Sequence, residues 1–223
     1  YIGAHRTAGR HIENILVQNQ DLLSKQGILV VTHAMQLPAF RAAKIASEKG
    51  EPDAKVAKAY LETITKGADF KTLVIMDRVR AGSVTRPVGR SLIYPQIRVN
   101  IVRYAKLFPT DSYRLFMGVR APATFLPSCY SDSLSHAKVE TFEQFTQDTD
   151  MRNLRWSETL ERIQRTFENQ DTTKNQLVTW RFEDYPRMWR DVVGALTGVD
   201  NPQDLVGDAI PVNKGLTLYG CQL

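Results

Sequence analysis

Gly3-Ala4-His5-Arg6-Thr7-Ala8-Gly9-Arg10-His11 follows a short apolar run and precedes a helical pattern that extends from Ile12 to Leu23. A strand, a small-residue turn and a helix start together make an anion cradle. The first backbone N–H groups of a helix have no intrahelical acceptor, and the helix dipole raises the potential at the same end. Arg6 and Arg10 add fixed positive charge, and His5 and His11 flank the turn where either could meet a phosphate. The competing reading is a tight turn with both arginines solvated. A phosphoryl-transfer enzyme using ATP and Mg²⁺ needs G-x-x-x-x-G-K-[ST]. Here Gly3 to Gly9 is one residue too long and His11 stands in place of the metal-binding hydroxyl, which disfavours that class. His33, after the second apolar run, is a further acid–base candidate because imidazole titrates near neutral pH, although a lone histidine there also serves structure. No histidine–carboxylate or cysteine spacing matches a metal site.

The stretch Ile2-Gly3-Ala4-His5-Arg6-Thr7-Ala8 resembles the strand and 5′-phosphosulfate loop of sulfotransferases, in particular a bacterial sulfotransferase-like group whose loop runs I-G-x-H-K-T-[GA]-T-T. Leu115-Phe116-Met117-Gly118-Val119-Arg120 is similar to that family's strand ending in arginine. Ser128 stands eight positions later, the separation at which family members bind the 3′-phosphate of the donor. The spacing has a physical reason: Arg120 offers a forked cation, and a helix starting near Pro122 can bring the Ser128 hydroxyl back over the same phosphate. Val178-Thr179-Trp180-Arg181-Phe182-Glu183-Asp184 resembles the family's strand followed by Y-E-D, with Phe182 where tyrosine often lies near the adenine. Phe182 could equally be core, and Glu183 and Asp184 could cap the following helix. Asn213-Lys214-Gly215 is a weaker likeness to the family's R-K-G phosphate contact.

The resemblance implies a sulfotransferase fold of the P-loop NTPase-like type, with 3′-phosphoadenylyl sulfate as co-substrate and no metal. Its implied donor-binding residues are Arg6, Thr7, Ala8, Gly9, Arg10, His11, Arg120, Ser128, Phe182 and Lys214. Arg6 replaces the loop lysine, so the charge is kept while proton donation is lost. Gly9 and Arg10 replace two hydroxyl residues. Transfer needs a base and a charge clamp. Asp77, at the end of the strand Leu73 to Met76, lies where the group often places a carboxylate and is the expected base, with His33 second. Arg6 is the expected charge clamp. The arginine-rich segment Arg78 to Tyr94 would border the acceptor cleft, which suits an acceptor of anionic character. A non-catalytic nucleotide-binding relative with a degenerate loop is the alternative.

These residues need elements to hold them. Short β-branched runs at Tyr1 to Ala4, Ile28 to Val31, Leu73 to Met76, Arg114 to Val119 and Leu177 to Phe182 read as strands. Ile12, Ile15, Leu16 and Leu23 share a helical face, as do Ile97, Ile101 and Phe108, and Trp156, Leu160, Ile163 and Phe167. The alternation predicts an α/β three-layer sandwich, a mainly parallel sheet flanked by helices, with ligand at the carboxyl ends of the strands. With 223 residues, 43% of them hydrophobic, the chain can bury a sizeable core, and no linker or repeat divides it, so a single domain over 1–223 is expected.

The charge balance of 29 Lys and Arg against 24 Asp and Glu gives +5, a weak preference for anionic partners with no basic block for nucleic acid. Two cysteines, Cys129 and Cys221, make no disulfide framework, which fits a reducing, cytoplasmic setting. No stretch reaches the roughly 20 apolar residues of a membrane span. The chain opens at Tyr1 in an apolar run without a signal-peptide layout, and no targeting is read from it.

Overall fold

The computed structural model describes residues 1–109, 112–135, 140–146, 149–168 and 176–207. In chain order, α1 (Gly9–Gln18) and α2 (Gln20–Lys25) lead to β1 (Ile28–Val31), and α3 (His33–Glu48) and α4 (Asp53–Thr65) lead to β2 (Thr72–Ile75). A small hairpin, β3 (Val88–Gly89) and β4 (Leu92–Ile93), precedes α5 (Ile97–Ala105) and β5 (Arg114–Val119). Then come α6 (Pro122–Ser135), α7 (Phe142–Thr146), α8 (Trp156–Glu168), β6 (Gln176–Arg181) and α9 (Tyr185–Thr197).

β1 pairs in parallel with β2, Val30 opposite Val74, and β5 pairs in parallel with β6, Met117 opposite Thr179. The opening segment, residues 1–4, joins the two pairs. On one side the Tyr1 nitrogen donates to Ile75 O at 2.8 Å, and Tyr1 O accepts from the Asp77 N–H at 2.8 Å. On the other, Ile2 N–H donates to Phe116 O at 3.0 Å and Ala4 N–H to Gly118 O at 3.1 Å, with Gly3 bridged in parallel to Met117. The spatial order is therefore β1, β2, opening segment, β5, β6. The chain leaves the opening segment first toward β1 and β2, then returns to the other side for β5 and β6. That reversal is a topological switch point, where the loops leaving neighbouring strands diverge and open a crevice at their carboxyl ends. The loops there are 5–8, 77–81 and 120–121.

Successive side chains of the strands enter opposite layers, as a two-residue period requires. Ile28, Val30, Val74 and Phe116 pack with Ile12, Ile15 and Leu16 of α1, Leu23 of α2 and Val192 and Val193 of α9. Leu29, Val31, Leu73 and Ile75 face Ala39 and Ala43 of α3 and Val56, Tyr60 and Ile64 of α4. Ile2, Leu115 and Met117 face Ile101 of α5, Phe125 of α6 and Ile163 of α8. Helices thus cover both faces of a parallel α/β sheet. Among the described residues no helix is long and apolar enough to cross a membrane.

Three sequence expectations shift. The first helical pattern breaks at Asn19, whose side chain donates to Ile15 O and Val206 O and accepts from the Val206 N–H, so a tertiary contact ends α1 a turn early. The run Leu73 to Met76 pairs as Thr72–Ile75. The last strand is Gln176–Arg181, which leaves Phe182 in the turn beyond it.

Candidate functional site

The loop after the opening segment is shaped by two residues with left-handed backbone, Arg6 at φ 61° and Ala8 at φ 70°. Ala8 occupies the N-cap of α1 without a side-chain cap, and the first helical bond runs from Ile12 N–H to Ala8 O at 3.0 Å. The N–H groups of Gly9 and Arg10 lie ahead of that bond, at the positive end of the helix. Gly9 is required by space: a Cβ there would stand 2.9 Å from the Tyr1 ring and 3.2 Å from the Arg78 side chain. Thr7 is fully buried, its Oγ1 donating to Ala4 O at 2.8 Å and lying 3.0 Å from Tyr1 Oη. Its hydroxyl ties the loop to the opening segment and faces away from any ligand.

Arg6 reaches α6, where Nε donates to Ser128 Oγ at 2.8 Å and Nη1 stands 3.3 Å from Asp132 Oδ1. Arg120, directly after β5, donates from Nη1 to Arg6 O at 3.3 Å and from Nε to Thr124 Oγ1 at 3.0 Å. Its guanidinium lies 4.8 Å over the Phe182 ring, and its carbonyl accepts from Trp156 Nε1 at 2.6 Å. Burial, and then the Arg6 charge, pull the Arg120 pKa below its usual value, while Glu183 opposes them. Among the described residues, no carboxylate pairs with Arg120 at ion-pair distance. Arg6, Arg120, Ser128 and Phe182, separated by up to 176 positions, thus meet in one place, and two guanidinia beside a helix start can hold an anion.

Other expected residues lie elsewhere. His11 is withdrawn into the core, 5% exposed, with Nδ1 2.8 Å from Tyr185 Oη and its ring edge-on to Tyr185 and Trp189, so it is corrected from phosphate contact to packing between α1 and α9. Arg10 is exposed on α1. Lys214, with Asn213 and Gly215, falls outside the described residues. Asp184 takes the N-cap position of α9 without a side-chain cap bond, whereas Glu183 Oε1 accepts from the Ala121 N–H at 2.9 Å and so braces the turn after β5.

The carboxyl ends of β1 and β2 carry His33 and Asp77. Thr32 caps α3 by accepting the Met35 N–H at 3.3 Å, which fixes His33 as the first helical residue after β1. His33 Nδ1 lies 3.6 Å from Asp77 Oδ1, within ion-pair range and just beyond hydrogen-bond length. Asp77 is fully buried, and its Oδ2 accepts from Arg80 Nε at 2.9 Å and Nη2 at 2.7 Å. Burial pushes the Asp77 carboxyl up, but His33 and the Arg80 guanidinium outweigh it and hold the pKa below the usual range. Asp77, the expected base, thus lies sealed beside His33 with its Oδ2 bound twice by Arg80. Arg80 is itself fixed, 3.7 Å over the Phe40 ring and 4.7 Å from the Tyr104 ring.

Asp132 has no role in the sequence reading, while Arg80 and Tyr94 enter it only as part of the segment expected to border the acceptor cleft and Trp156 only as part of a helix face. Asp132 lies four residues after Ser128 and shares its helix face, a signal that was present. Arg80 follows Asp77 by three residues in an irregular turn, and Tyr94 meets His5 across 89 positions, for which no local pattern exists. Segment 78–94 lines a cleft of about 860 Å³ with Arg80, Arg86, Arg90, Tyr94 and Asn100; Arg86 is paired with Glu140 at 2.8 Å. A cavity of about 610 Å³ opens at the opposite, amino ends of β2 and β5, lined mainly by apolar groups such as Leu73, Phe108 and Leu115, and its lining does not match anion chemistry. Among the described residues no group of three His, Cys, Asp or Glu side chains could hold a metal ion. No protein-family model, no curated protein and no solved structure matches the chain.

Proposed function

We propose that the protein is a sulfotransferase of P-loop-like architecture that transfers a sulfuryl group from 3′-phosphoadenylyl sulfate to a hydroxyl or amine acceptor. The observation that carries this reading is the convergence of Arg120 on the loop of Arg6, at 3.3 Å, with Ser128 bound to Arg6 at 2.8 Å. A doubly phosphorylated adenosine needs cations at both ends. The α1 start and Arg6 serve the phosphosulfate end, Arg120 and Ser128 the 3′-phosphate, and the exposed side of Phe182 offers a stacking surface to the base.

Reaction is an in-line displacement. The acceptor oxygen or nitrogen forms a bond to sulfur, the bond from sulfur to the 5′-phosphate oxygen breaks with its electron pair leaving on adenosine 3′,5′-bisphosphate, and the acceptor proton passes to His33 Nε2. Arg6 stabilises the equatorial charge as a fixed cation. The cleft beside Arg80 and Arg90 receives the acceptor, and its guanidinia suit one that carries negative charge.

A second reading, donor binding without transfer, is favoured by two contacts: Arg6 is held by Asp132, and the Thr7 hydroxyl faces inward. Titration calorimetry with adenosine 3′,5′-bisphosphate tests the site shared by both readings. Arg120→Ala is expected to weaken binding by about 1.5–3 kcal/mol, the range for charge-assisted hydrogen bonds; unchanged affinity would defeat both. Transfer of radiolabelled sulfate across a panel of acceptors then separates them, because the non-catalytic relative binds donor and transfers nothing.

A further inference from the structure

Two imidazoles stand at this crevice, and their Nδ1 atoms have partners of opposite character. His33 Nδ1 and Asp77 Oδ1 are both sealed from solvent, have no hydrogen-bond partner, and face one another at 3.6 Å. Two lone pairs would repel there, so the ring proton sits on Nδ1 and the lone pair on Nε2. His5 is bound the other way. Tyr94 Oη accepts the His5 backbone N–H at 3.0 Å and lies 2.7 Å from His5 Nδ1. Among the described residues His5 Nδ1 is the acceptor within reach of the phenol proton, which assigns the lone pair to Nδ1 and the ring proton to Nε2. Neither Nε2 is sealed or taken by a described protein group.

We propose that His5 is a catalytic hydrogen-bond donor: its Nε2–H, oriented by Tyr94, binds the oxygen that leaves sulfur, while His33, in the opposite tautomer, accepts the acceptor's proton. This rests on the sulfuryl-transfer reading and extends it to a residue with no assigned role. No proton leaves His5; the electron pair of the breaking S–O bond collects on the 5′-phosphate oxygen and is met by the Nε2–H dipole. The charged groups acting on His5 are Asp132, Arg78, Asp77 and His33, and burial outweighs them, pulling its pKa down to about 4. His5 is therefore a neutral imidazole at neutral pH and donates without itself carrying charge. Tyr94 can hold the ring because it is itself held: its phenol is fully enclosed, edge-on to Phe125, and its carbonyl accepts from Arg162 Nη1 at 2.9 Å.

The test is long-range ¹H–¹⁵N NMR of the full chain at neutral pH, combined with kinetics. The expected spectrum has His5 as the Nε2–H tautomer and His33 as the Nδ1–H tautomer, with Tyr94→Phe mixing the His5 tautomers and leaving His33 unchanged. His5→Phe is expected to lower kcat about 100-fold, the effect of losing one donor to developing charge. It should leave adenosine 3′,5′-bisphosphate affinity within about twofold and the Nδ1–H pattern of His33 unchanged. An Nδ1–H pattern at His5, or full turnover by His5→Phe, in a chain that transfers sulfate overturns the proposal and leaves the transfer reading standing. Expected tautomers in a chain that binds no bisphosphate overturn the transfer reading and the donor role with it.

Discussion

Arg6 makes the residue-scale chemistry concrete, because its guanidinium is shared between a neutral hydroxyl, Ser128, and a carboxylate, Asp132. The carboxylate neutralises the cation that an incoming anion needs. A partly exposed pair at 3.3 Å is worth only about 0.5–1 kcal/mol, so the effect on binding is modest and its sign is informative. Asp132→Asn is expected to tighten adenosine 3′,5′-bisphosphate binding roughly two- to fivefold by calorimetry, since Ser128 still fixes Nε; weaker binding would mean that Asp132 orients Arg6 and does not compete for it. Arg6 and Arg120 were legible in the sequence because each stands next to an element boundary, one after the opening run and one at the end of β5. Asp132 was legible only in part: its spacing from Ser128 puts both on one helix face, but nothing local says that Arg6 lies opposite.

For the elements, the loop's shape depends on its neighbour β5. A Cβ on Gly118 would meet Thr7 Oγ1 at 2.9 Å, Thr7 Cβ at 3.0 Å and the Trp180 ring at 3.2 Å. Glycine there lets Thr7 lie flat against the strand and tie itself to Ala4 O. Gly118→Ala should therefore cost about 1–3 kcal/mol of stability in urea unfolding, as overpacking does, and it should also weaken bisphosphate binding, because the displaced Thr7 carries the Arg6 backbone with it. Stability lost without loss of affinity would separate the loop from the strand. The strands were readable because their β-branched runs alternate between two buried layers. The break at Asn19 was not, because the pattern of α1 and α2 is continuous in sequence and the interruption comes from Val206, 187 positions away.

Across the whole molecule, stability is tied to pH through groups that the crevice keeps short of protons. His5 has a folded pKa of about 4 against an ordinary 6.5, and Asp77 is held below its ordinary 3.8. In both cases the unfolded chain binds more protons than the folded one, so stability is present above the ordinary pKa and is lost as pH falls through the folded value. The urea midpoint is expected to decline between about pH 6.5 and 4 through His5, and further below 3.8 through Asp77. His5→Gln should flatten the first phase and leave the second. A midpoint constant from pH 7 to 4 in the unsubstituted chain would contradict the burial of a neutral His5.

By itself the sequence determined the runs that become β1, β2, β5 and β6 to within a residue, that helices alternate with them, and that arginines and a tight turn lie at their ends; these follow from local periodicity and from residues next to one another, whereas the opening run forms only an isolated bridge at Gly3 and the β3–β4 hairpin was not read. Only the tertiary structure decided the order β1, β2, opening segment, β5, β6, and with it the meeting of Arg120 with Arg6, of His33 with Asp77, and of His5 with Tyr94. The solvent access and hydrogen-bond partners of Asp77 and His33 were decided by the same contacts, since these are properties of neighbours in space, and the neighbours that matter here stand tens of residues apart in the chain.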